Sequence, residues 1–159
     1  MILSLDIRDY ARVQHLFRRY RRAFYGLAMP YSEGATYSGT LAQGENLFIT
    51  GHGSPESIGH PDGAPRFTPA ELGEWLEESV LPCNYAGEIY LAAPGATHHF
   101  VDELVSALGH RFQERVHGLF NCAYSQILSP GHGEWVTGEY RGGGVVSLVE
   151  VNSGRVSAA

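Results

Sequence analysis

Two short apolar runs, NLFITG (46–51) and GEIYLAAPGA (87–96), show no alternation of apolar with polar side chains, and each ends at a loop containing glycine. A strand with one face in water alternates with a period of two. A strand without alternation is covered on both faces, as in a parallel sheet held between two layers of helices. Helical signals follow each run. In FTPAELGEWLEESVL (67–81), Thr68 is placed to cap, Pro69 suits the first helical position and Glu71 completes a capping box. After the second run, Phe100, Val101, Leu104, Val105 and Leu108 share one helical face, which Gly109 ends. Strand, helix, strand, helix implies a parallel sheet with right-handed crossovers.

The flanking segments extend this pattern. MILSLDI (1–7) reads as a strand and residues 9–25 as a helix with Tyr10, Val13, Phe17, Tyr20 and Phe24 on its apolar face. Residues 28–45 form a Gly/Ser/Tyr-rich stretch with room for one short strand. From RVHGLF (115–120) onward only strands and turns are signalled: AYSQILS, EWVTGEY, the glycines at 142–144, and VVSLVEV. With 159 residues and neither a repeat nor a long linker, the chain is expected to form a single domain over 1–159. The expected class is α/β: three layers, a mostly parallel central sheet with helices on both faces, and C-terminal β-hairpins.

Composition excludes several functions. A formal net charge of −6 gives no electrostatic bias toward nucleic acid. The arginines of RRYRR (18–22) lie opposite an apolar helix face and read as its solvated side. No apolar stretch approaches the ~20 residues that span a bilayer, and the N-terminal residues lack a basic-then-apolar leader. No membrane partner is therefore expected, and the expected location is the cytoplasm, or outside it by a route other than Sec export. Cys83 and Cys122 are too few for a disulfide framework. The glycine loops at 51–53, 59–63 and 142–144 match neither a phosphate-binding loop nor a complete dinucleotide fingerprint, so no cofactor is expected. A G-x-S-x-G nucleophile elbow is also missing. Eight histidines are many for this length, but there is no H-E-x-x-H. The interval from His52 to His60 crosses a loop, and His98 and His99 are adjacent and so diverge. No metal site is expected from them, and no oligomeric state follows from the sequence.

Sites in open parallel sheets lie at the carboxyl ends of the strands. That rule puts Gly51-His52-Gly53-Ser54 and Ala93-Pro94-Gly95-Ala96 on one rim if the two apolar runs are neighbours, with His98 in reach. The order of features is an apolar strand ending in His-Gly and Ser, a small-residue loop, FTPAELGEWL, a second strand ending in small residues, a helix, then VHGLF…SPGHGEWV. Over residues 45–137 this order resembles the caspase-like (clan CD) cysteine peptidase fold, and most closely the autoprocessing cysteine peptidase domains of large bacterial toxins.

The resemblance implies that His52 is the catalytic histidine and that Gly53 offers a backbone N–H to the oxyanion. It also implies that the nucleophilic cysteine, whose own N–H is the second oxyanion donor, belongs at position 94, where this chain has Pro94. Proline has no nucleophile and no amide hydrogen. Losing one oxyanion donor costs about 100- to 1,000-fold in rate before the missing thiolate is counted. Cys122, just past RVHGLF, is the thiol that the strand order brings toward the same rim, which makes it the third catalytic candidate beside His52 and Gly53. Ser54, Ala93, Pro94, Gly95 and His98 are the candidate binding residues. The resemblance thus implies a pseudo-peptidase that binds a protein or peptide partner, in the setting of a bacterial toxin or effector system. The alternative is a hydrolase that pairs Cys122 with His52.

Overall fold

A computed structural model describes residues 1–19, 26–120, 131–143 and 145–151. In chain order the elements are β1 (Ile2–Ser4), α1 (Ile7–Arg19), β2 (Ala28–Pro30), β3 (Leu47–Thr50), β4 (His52–Gly53), β5 (Ile58–Gly59) and β6 (Arg66–Phe67). Then follow α2 (Pro69–Trp75), β7 (Ile89–Ala92), α3 (His98–Leu108), β8 (Val116–Leu119), β9 (Gly131–Thr137) and β10 (Val145–Val151). The central sheet has seven strands in the order β10-β9-β8-β7-β3-β1-β2. The five strands from β8 to β2 are parallel, and β9 and β10 extend the sheet as an antiparallel hairpin. The two apolar runs are direct neighbours, with Leu47 opposite Ile89 and Thr50 opposite Ala92. The AYSQILS segment, residues 20–25 and Cys122 lie outside the described residues.

Alternating side chains sort the sheet into two layers. Leu3, Leu47, Ile49, Ile89 and Leu91 pack with Leu72 and Leu76 of the α2 region and with Phe100, Val101 and Leu104 of α3. The opposite face carries Ile2, Phe48, Tyr90, Ala92 and Trp135, packed with Val13 of α1. Helices therefore cover both faces, as the missing alternation requires. Phe48 stacks on Tyr90 at 4.8 Å between ring centroids, and Trp135 meets Tyr90 edge-on at 5.2 Å. Each such fully buried side chain contributes about 1.5–3 kcal/mol of transfer free energy.

The start of α1 departs from expectation. The helix begins at Ile7, and the first strand is confined to Ile2–Ser4, because Asp6 acts as the cap: its Oδ1 accepts the Arg8 N–H at 2.9 Å. At α2 the capping box forms as read, with Glu71 N–H to Thr68 Oγ1 at 3.3 Å and Thr68 N–H to Glu71 Oε2 at 2.9 Å. The same helix ends in a single π turn over Leu76–Val80, closed by the Leu81 N–H on the Leu76 carbonyl at 2.8 Å. Among the described residues no helix is long and apolar enough to cross a membrane.

Candidate functional site

The carboxyl ends of β1, β3, β7 and β8 lie side by side, and the backbone continues to pair beyond the strands. Gly51 N–H donates to the Ala92 carbonyl (3.2 Å), Ala93 N–H to Leu119 (3.2 Å) and Gly95 N–H to Phe120 (3.3 Å). Directly on the rim, Gly53 N–H donates to the Pro94 carbonyl at 2.9 Å. The loops after β3 and β7 are thus in contact, and both contact positions require glycine. A Cβ on Gly53 would lie 2.5 Å from the Ala96 nitrogen and 2.9 Å from its Cα. A Cβ on Gly95, at φ +93°, would strike the Gly53 carbonyl oxygen.

The loop 51–67 that follows β3 folds into a small antiparallel sheet, β4-β5-β6, with His52 opposite Gly59 and Ile58 opposite Phe67. Arg66 ties its turns together, its guanidinium donating to Ser57 Oγ at 2.9 Å and to the His60 carbonyl at 2.8 Å. Ser54 Oγ accepts the backbone N–H groups of Glu56 (3.3 Å) and Ser57 (3.2 Å), so this hydroxyl organises the turn. The arrangement delivers two imidazoles toward one carboxylate. His52 Nε2 lies 3.3 Å from Asp6 Oδ2, and His60 Nε2 lies 3.8 Å from Asp6 Oδ1.

No family model, curated protein or solved structure matches the chain.

Asp6 has a fully buried side chain at the end of β1. Burial pushes its carboxyl up, but the Arg8 backbone N–H and guanidinium, the latter 3.1 Å from Oδ2, outweigh that and hold it below the usual carboxylate range. The ionised Asp6 faces His52 Nε2 at 3.3 Å. Asp9, one helical turn further along α1, is buried at 3% exposure, and burial raises its carboxyl, partly offset by the nearby His52. One ligand atom from each of Asp6, Asp9 and His52 falls within 4.8 Å of the others, so these three residues are able to share a cation.

The structure brings His52, Gly53, Ala93, Pro94 and Gly95 together on one rim, as the strand order implies. Ala93 is buried and Pro94 half-buried. His98 opens α3 in an exposed position, its ring 6.3 Å from that of Phe120. The neighbouring His99 turns away to pair with Glu103 at 2.8 Å. Cys83 is a free, exposed thiol in the connection that enters β7, at the sheet end opposite the rim. The site residues that sequence reasoning missed are Asp6 and Asp9. The available signal was Asp-x-x-Asp at the exit of the first strand, where a buried helix start meets the carboxyl edge of the sheet.

Proposed function

We propose that this chain is a caspase-like domain without the family's acylating chemistry, and that its rim between residues 51–54 and 93–98 binds a protein or peptide segment. The observation that carries this reading is the hydrogen bond from Gly53 N–H to the Pro94 carbonyl at 2.9 Å. An oxyanion hole needs two preorganised N–H groups free to meet developing charge. At this rim, one candidate donor is engaged by the neighbouring loop and the other position, Pro94, has no N–H. His52 Nε2 lies against the Asp6 carboxylate, which is no nucleophile of the family's kind. The association with toxin or effector systems, and delivery by a route other than Sec export, come with the resemblance and are part of the same proposal.

Thiol alkylation followed by mass spectrometry tests it, with the free, exposed Cys83 as an internal reference thiol. The expected result is that Cys122 reacts no faster than Cys83, and at the same rate in the His52→Ala variant. Fast labelling of Cys122 that disappears in His52→Ala would establish a thiolate–imidazole pair and replace the binding module with a hydrolase.

A further inference from the structure

We infer that Asp6, Asp9 and His52 form a binding site for one divalent first-row transition-metal ion of the zinc or manganese kind. The site shares His52 with the proposed peptide-binding rim but needs neither Pro94 nor any partner, so it is tested independently of that reading.

Its strongest support is Asp9. Capping explains Asp6, whose carboxylate takes the Arg8 N–H and guanidinium, and a helix start favours acidic residues in general. The helix start also favours Asp9, in the first turn of α1, but it does not account for a carboxylate buried there without a donor. Its carboxylate is buried at 3% exposure, and among the described residues no hydrogen bond or ion pair reaches it. At this helical position a carboxylate has backbone N–H groups within reach, yet it is directed instead at Asp6 and His52. A buried carboxylate without donors is costly, and a cation would remove that cost.

The geometry and the donor set agree. His52 Nε2 and Asp6 Oδ2 are 3.3 Å apart. Ligand bonds of about 2.0–2.2 Å at octahedral to tetrahedral angles put neighbouring donors about 2.8–3.6 Å apart, and all three donor atoms lie within 4.8 Å of one another, so a bound ion would draw Asp9 slightly inward. The same gap accepts either a proton or a metal ion. One imidazole with two carboxylates suits zinc, manganese or ferrous ions better than the all-oxygen preference of calcium and magnesium. Asp6 and Asp9 come from the start of α1, and His52 from β4, two residues after the central strand β3 ends. His60, 3.8 Å from the other Asp6 oxygen, stands beside the site, and half-exposed Arg8 supports Asp6 from outside.

The test uses the full chain stripped with a chelator and titrated calorimetrically with Zn²⁺ and with Mn²⁺, together with thermal melts. The expected result is one equivalent bound by the wild type, with a rise in its Tm. Asp9→Asn and His52→Ala should each weaken binding by at least about 10-fold, the lower limit for disturbing even a supporting group at a metal site. His99→Ala, which alters an exposed histidine paired with Glu103, should bind as the wild type does. Asp9→Asn keeps the side-chain shape and removes a buried charge, so the uncomplexed variant should melt no lower than the wild type. His52→Ala gives a second variant at a half-exposed position. Absence of binding by either ion, or binding that folded Asp9→Asn and His52→Ala leave unchanged, would overturn the site.

Discussion

Replacing Gly53 by alanine probes the contact on which the rim depends. The added Cβ would lie 2.5 Å from the Ala96 nitrogen, 2.7 Å from its Cβ and 2.9 Å from its Cα, and these are mostly backbone atoms that cannot rotate aside. The loops after β3 and β7 must separate, and the 2.9 Å hydrogen bond from Gly53 to Pro94 stretches or breaks. Overpacking costs about 1–3 kcal/mol and the hydrogen bond about 0.5–1.5 kcal/mol, so the expected destabilisation is about 2–4 kcal/mol. For a domain of this size that lowers Tm by roughly 5–15 °C. Gly63→Ala is the matched control, because nothing lies within 4 Å of its added Cβ and its cost should stay within about 0.5 kcal/mol. Urea unfolding of the three proteins measures the difference as a shift in midpoint at constant slope. If Gly53→Ala unfolds with the wild type and Gly63→Ala, the two loops are not in contact and the account of the rim fails.

Two other outcomes follow from the fold. Thr68→Ala removes the capping box of α2 at an exposed position and should cost about 0.5–2 kcal/mol in the same urea assay, whereas Thr68→Ser should retain most of the stability. Glu88 is held below the usual carboxylate range first by its hydrogen bond to His117, at 3.0 Å, against the opposing effect of burial. A depressed native value means that its contribution is present above the unfolded carboxylate's ordinary 4.5 and is lost as pH falls below it. Glu88→Gln should therefore flatten the acid limb of a stability-versus-pH curve below that point. An acid limb identical to that of the wild type would remove Glu88 from the account.

What was legible in the sequence was what one element reveals about its own surroundings. Phe48 and Ile49, like Tyr90 and Leu91, point to opposite faces that are both covered, and the missing alternation implies this whatever the partner elements are. The α2 boundary was legible because Thr68, Pro69 and Glu71 act on one another within a single turn. The strands of the small sheet were not, since two-residue segments such as His52–Gly53 and Ile58–Gly59 carry no periodicity and exist through their pairing. Nor was the junction of Asp6 with His52, which joins residues far apart in the chain and arises only because β1 and β3 are neighbours in parallel. A tertiary meeting of this kind leaves no local pattern. Asp-x-x-Asp read alone is an ordinary helix start.

The most direct test of the proposal that this rim places His52 as a peptidase would, without a nucleophile at position 94, is the pH-dependent alkylation rate of a thiol introduced by Pro94→Cys, with and without His52→Ala. The expected result is that the introduced thiol reacts faster than exposed Cys83 in the same molecule, and that this advantage is lost when His52 is removed. An introduced thiol that reacts like Cys83 whether or not His52 is present would contradict the account.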